Sequence, residues 1–186
     1  MNNSDYGPLA PLIGTWKGNK GTDVAPTADN SEDIPYHETI IFEAAGDVTN
    51  AGEQHLWVIR YHQVVRRTSD NEVFHDQIGY WMWDPEQQQV IQSLTIPRAV
   101  CVLAGGTTST TPNGATQLDV AAEAGSDDWG IVQSPFMNSH AKTTAYSHHL
   151  TVDRNTLSYS QSTMLDIYER QFDHTDENTL TRSDSL

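Results

Sequence analysis

Basic residues are scarce in this chain of 186 residues: ten lysines and arginines face 25 aspartates and glutamates, a formal charge of −15. Phosphate backbones and anionic lipid surfaces are drawn to clustered Lys and Arg, and the one local cluster is Arg66-Arg67. Nucleic acid is therefore not an expected partner. Long hydrophobic runs are missing as well. No stretch approaches the ~20 apolar residues that span a bilayer, so membrane insertion is not expected either. With a single cysteine, Cys101, there is no internal disulfide, in keeping with a reducing compartment. Residues 1–5 carry no basic-then-apolar leader; both absences point to the cytoplasm. Cys101 itself, inside the apolar run 99–104, reads as a buried packing thiol.

Chemical signatures are also few. No Gly-x-Ser-x-Gly, phosphate loop or dinucleotide fingerprint occurs, so no catalytic residue is assigned and an enzymatic role is not the expectation. None of the eight histidines stands at a metal-ligand spacing. His148 and His149 are neighbours, so on a strand they point to opposite faces and cannot chelate together. A metal site is not expected.

Strand-like segments dominate what is present. Residues 36–43, 55–66, 73–83, 89–96, 99–104, 117–122, 142–153 and 155–168 are rich in β-branched and aromatic side chains. Turn compositions fall between them at 44–52, 68–71, 84–86, 105–114 and 125–128. Residues 16–35 read as one long loop, 1–13 as a leader with a brief helical turn, and 183–186 as a tail. Helical periodicity of useful length is absent. The expected fold is all-β in one domain over 1–186, as a sandwich or a barrel.

Polar groups embedded in apolar strands are candidate ligand contacts. Arg60 stands between Ile59 and Tyr61, and Arg98 follows Ile96-Pro97. A carboxylate inside a barrel needs charge-assisted partners, which Arg60 or Arg98 with Tyr80 could supply; Tyr168, with Trp57, Trp81, Trp83 and Phe136, could line the cavity. Arg60 in an outward ion pair is the competing reading.

Gly14-Thr15-Trp16, after the apolar approach Leu9-Ala10-Pro11-Leu12-Ile13, resembles the opening of the calycin barrels, the lipocalins and fatty-acid-binding proteins. The resemblance implies that Trp16 plugs one end of the barrel and that Arg182, near the C-terminus, packs across it. Ala25-Pro26-Thr27, Ile34-Pro35-Tyr36-His37-Glu38-Thr39, Phe74-His75-Asp76-Gln77-Ile78-Gly79-Tyr80-Trp81 and Gly105-Gly106 are similar, in order and spacing, to nitrobindin and related haem-binding β-barrels. That likeness implies a cofactor region including Thr27 and His75, with His174 at the position of the family's haem ligand. It also implies the family's chemistry, haem-dependent isomerisation of peroxynitrite. The local sequence departs from the family here, because Phe172-Asp173-His174-Thr175-Asp176-Glu177-Asn178 has the composition of a solvated turn. Together the two likenesses imply a single antiparallel, calycin-like barrel of about ten strands, closed by pairing of its first and last strands. The leading expectation is that it binds a hydrophobic or amphipathic small molecule, fatty-acid-like or haem. The alternatives are a haem protein acting on reactive nitrogen species through His174, and a side-chain-filled barrel acting through its surface, perhaps as a homodimer.

Overall fold

The computed structural model describes residues 3–183. Its strands are β1 (Gly14–Pro26), β2 (Ser31–Ala51), β3 (Gln54–Arg67), β4 (Val73–Asp84), β5 (Gln89–Ile96) and β6 (Val100–Thr110). They continue as β7 (Thr116–Glu123), β8 (Ile131–Gln133), β9 (Ala141–Asp153), β10 (Thr156–Ile167) and β11 (Arg170–Ser183), with one short helix, α1 (Pro135–His140), before β9. The sheet runs β5-β4-β3-β2-β1-β11-β10-β9-β7-β6, and a β5–β6 pairing closes it into an antiparallel barrel of ten strands. β8 is an eleventh, lying along the start of β6. Closure leaves the barrel strands no free edge for unwanted pairing. Of the expected 183–186 tail, Ser183 ends β11, and the rest lies outside the described residues, as do the first two residues of the leader.

Inward side chains form three tiers. The floor is apolar, with Trp16, Phe42, Ile59, Trp81, Leu157 and Leu180 all buried. A 3₁₀ stretch, Asn3–Leu12, crosses beneath it and inserts Tyr6, Leu9 and Leu12 as a plug. Each such burial stabilises by roughly 1.5–3 kcal/mol. The middle tier is polar, made of Tyr36, Glu38, Tyr61, Gln92, Tyr146 and Tyr159 with the side chains that bond them. The upper tier surrounds a cavity at the opposite end from the plug.

First and last strands pair as the calycin likeness implied. Trp16 lies directly opposite Arg182, whose guanidinium stacks 4.2 Å from the Trp16 ring centroid. The same guanidinium donates to Ile13 O at 2.6 Å and Pro11 O at 2.5 Å, while Trp16 Nε1 donates to Leu12 O at 2.7 Å. Gly14 is required at this crossing: its φ is 135°, and a Cβ would sit 2.6 Å from Arg182 Nη1.

Three expectations of local structure are corrected. Residues 16–35 are not a long loop but β1 and the start of β2, joined by a tight connection at 27–30. The Gly-rich composition that suggested a loop serves packing, since a Cβ on Gly21 would fall 2.1 Å from the Tyr36 ring lying over β1. Residues 44–51 and 105–110 likewise extend β2 and β6 rather than turning. Residues 172–178 belong to β11, paired residue by residue with β10. Cys101 is exposed, with its sulfur 3.4 Å from Thr95 Oγ1, because it occupies an outward position of β6.

Candidate functional site

The cavity at the open end has a volume of about 310 Å³, at the lower end of the ~300–1,000 Å³ usual for small-molecule sites. One wall is apolar, contributed by Leu94, Ile96, Val100, Val102 and Met137 of β5, β6 and α1. The facing wall is polar: Asp23 of β1, Gln63 of β3, His75 and Gln77 of β4, and His174 and Asp176 of β11. Both walls follow from period-two alternation, which turns every second residue of a barrel strand inward. In β11 that inward series is His174, Asp176, Asn178 and Leu180, so the strand grows more polar toward the mouth.

His174 is therefore a cavity residue, not a surface-turn histidine. Its Nε2 contacts Asp23 Oδ1, and Asp23 is only 3% exposed. Burial works against the imidazolium, but Asp23, Asp176 and Asp173 outweigh it and raise the His174 pKa. Burial pushes the Asp176 carboxyl up to about 7; His174 opposes the shift and Asp23 adds to it. Gln161 Nε2 donates to Asp176 Oδ2 at 3.3 Å, and Tyr146 OH donates to Gln161 Oε1 at 3.1 Å. Donor atoms of Asp23, His174 and Asp176 all lie within 4.8 Å of one another.

Beneath this group lies Glu38, 3% exposed. It accepts hydrogen bonds from Gln63 Nε2 at 2.6 Å, Asn178 Nδ2 at 2.7 Å and Tyr159 OH at 2.9 Å. Burial still raises its pKa, the three donors notwithstanding. Alongside, Tyr61 OH accepts from Gln77 Nε2 at 2.7 Å and Gln92 Nε2 at 3.1 Å. His148 packs between Trp81, Tyr146 and Tyr159, and its Nε2 is buried without a partner among the described residues.

The candidate residues separate clearly. His75, Arg98 and His174 line the cavity. Arg60 does not: it points outward and pairs with Glu43 at 2.8 Å, both side chains more than half exposed. Tyr80, directly across from Arg60 in the β3–β4 pairing, shares the outer face and is 45% exposed. Tyr168 occupies the β10–β11 turn in a left-handed conformation (φ 54°) and is half exposed. Thr27 belongs to the β1–β2 connection, where its carbonyl accepts from Arg170 Nη2 at 3.0 Å; neighbouring Pro26 lines the cavity instead. Of the aromatics, Trp81 and Trp83 are floor residues, Trp57 packs on Tyr6, and Phe136 is exposed. Asp23 and Asp176 were missed altogether. Their only signal was two-residue spacing from His174 for one, and for the other a place in a segment that reads as loop. A wider open groove of about 840 Å³ crosses the outer faces of β7, β9 and β10, lined by residues such as Ser147, Ser160 and Ser162.

The comparisons agree with this architecture. The crystal structure of Rv2717c from M. tuberculosis superimposes with a TM-score of 0.70 at 24% identity, covering 94% of each chain. At that identity the likeness concerns the fold. No curated protein matches the sequence. The family model described as "THAP4-like, heme-binding beta-barrel domain" matches residues 5–182, from the 3₁₀ plug to the arginine that closes the barrel. The chain belongs to the THAP4-like haem-binding β-barrel domain family.

Proposed function

We propose that this barrel binds a small amphipathic molecule whose polar end is neutral or cationic. The observation that carries the reading is the contrast between the two cavity walls. Leu94, Ile96 and Met137 offer an apolar face, and Asp23 and Asp176 stand opposite with no Lys or Arg bonded to either among the described residues. Buried carboxylates are costly unless paired, and His174 alone stands between Asp23 and Asp176, so a ligand that brings hydrogen-bond donors or positive charge is favoured. A fatty acid is disfavoured. Its carboxylate would meet carboxylates, Arg60 lies outside, and among the described residues Arg98 is the one arginine lining the cavity.

Displacement of a fluorescent probe by three chain-matched amphiphiles tests this. Amine and alcohol headgroups should compete at least tenfold better than carboxylate. Equal or better competition by the carboxylate would overturn the reading.

Haem is the rival, favoured by family membership and by His174 on the cavity wall. The charge of the cavity disfavours it. Asp23 engages His174 Nε2, so an iron would have to take Nδ1, and Asp176 stands two residues along the same face. A porphyrin's two propionates would find, among the described residues, Arg98 as the one Lys or Arg lining the cavity. Haemin titration decides between them: a stoichiometric Soret band that His174→Ala abolishes would establish haem and displace the present proposal.

A further inference from the structure

We infer that Asp23, His174 and Asp176 form a binding site for one first-row divalent cation of the zinc or cobalt class. The inference rests on the reading of the cavity as a binding site for a ligand with a neutral or cationic end, and names a metal ion as the cation at its acidic wall.

The donor chemistry supports it first. One imidazole nitrogen and two carboxylate oxygens make a mixed N/O set. Zinc takes such donors at ~2.0–2.2 Å, so two donors on one ion cannot lie more than roughly 4.4 Å apart. The three here lie within 4.8 Å of one another, a separation that a small side-chain movement closes, on β1 and β11, two strands fixed side by side by barrel closure. Soft metals that demand thiolate are excluded, because the set holds no sulfur.

Charge supports it second. Asp23 is almost wholly buried, and its only ion-pair partner among the described residues is His174. Two carboxylates and one imidazole share the end of an apolar-sided cavity, a grouping that a divalent ion neutralises and that no Lys or Arg among the described residues does.

The surrounding hydrogen bonds supply a third, independent line. Metal ligands are usually oriented by outer partners. Asp176 Oδ2 is held by Gln161 Nε2, itself fixed in orientation because its Oε1 accepts from Tyr146. On β4, Gln77 donates its Nε2 to Tyr61, so its Oε1 faces His75 Nε2 at 3.2 Å. An oxygen only accepts, so His75 carries its proton on Nε2 and keeps a bare Nδ1 lone pair with no partner among the described residues. His75 lines the same cavity as the triad and is placed to serve as a fourth donor or to bond a metal-held ligand. With three protein ligands the ion keeps open positions toward the cavity, the pattern of a site that presents its metal to a bound molecule.

Calorimetric titration of the metal-free protein with Zn²⁺ alone, repeated with Co²⁺, tests the inference. One site per chain is expected, weakened at least tenfold by each of Asp23→Asn, His174→Ala and Asp176→Asn, and less by Gln161→Ala. His149→Ala, which removes an exposed histidine paired with Asp119 on the outer face, should leave it unchanged. Because substitutions in a buried cluster can unfold a protein, imidazole ¹⁵N NMR of the unsubstituted chain gives a second readout: Zn²⁺ should shift the His174 ring nitrogens and spare those of His149. Absence of a stoichiometric site, or binding that persists in the triad variants or shifts His149 instead, would overturn it. Amphiphile displacement without metal binding would remove the metal and leave the ligand reading intact.

Discussion

Arg182 and Trp16 face each other across the β1–β11 pairing, the guanidinium 4.2 Å from the ring centroid and both its terminal nitrogens committed to the backbone of the plug. One side chain thus ties the barrel seam to the segment that seals its floor. The stack contributes about 0.5–2 kcal/mol, and the hydrogen bonds from a charged donor about 1.5–3. Arg182→Ala should lower unfolding free energy by about 2–4 kcal/mol in urea titration. Arg182→Lys should recover less than half, because an ammonium cannot bridge two carbonyls while lying flat on an indole. A loss below 0.5 kcal/mol in the alanine variant would mean the seam is held by strand pairing alone.

The buried His148 predicts a pH dependence of stability with a definite sign. Burial, with His149 beside it, depresses its pKa from 6.5 to about 4. Its folded form therefore binds fewer protons than its unfolded form between those values. The contribution is fully present above pH 6.5 and is lost as pH falls toward 4, to a full extent of about 3 kcal/mol. His148→Gln, neutral throughout, should flatten the stability profile across that window. An unchanged slope would show that other groups carry the acid sensitivity.

Glu38 holds the middle tier together by accepting from Gln63, Tyr159 and Asn178, which come from three different strands. Glu38→Ala would strand three buried donors at about 1–3 kcal/mol each, so a loss of 3 kcal/mol or more is expected by chemical denaturation. Glu38→Leu should do no better, since the donors stay unpaired whatever the volume. A near-neutral Glu38→Leu would indicate that the donors find new partners.

The outer shape of this barrel was legible in the sequence, and its interior was not, for one physical reason. Strands such as 55–66 and 142–153 announce themselves because apolar residues alternate or run together. β11 has the same inward alternation, but its inward residues are His174, Asp176 and Asn178, so hydrophobic periodicity vanishes where the cavity begins. The turn before it is equally silent. Tyr168 and Glu169 both take left-handed backbone at φ 54° and 60°, positions where Asn or Gly would have marked a hairpin. Arg60 misled for the opposite reason, since a strand apolar on both faces does not say which face is inside. Trp16 and Arg182 were readable because a family resemblance, not periodicity, tied them together. Asp23 was hidden by glycines that make room for Tyr36.

The same glycine-rich strand supplies the residue that decides what His174 can do. Asp23 engages the imidazole Nε2 from β1, and a charge-assisted hydrogen bond of this kind is worth about 1.5–3 kcal/mol. A haem iron that takes that nitrogen must first displace the carboxylate. Removing it should therefore strengthen binding of haemin to the barrel by about 10- to 100-fold, at roughly 1.4 kcal/mol per tenfold. In Asp23→Ala, haemin titration should develop a Soret band at concentrations where the unsubstituted protein gives little. Asp23→Ala combined with His174→Ala should lose it again, which separates axial ligation from adsorption to the apolar wall. Zinc affinity should move in the opposite direction in the same Asp23→Ala variant, because for that ion Asp23 is a ligand and not an obstacle. A variant in which haemin and zinc affinities fall together would show that Asp23 shapes the cavity as a whole, and that its bond to His174 does not set the choice between them.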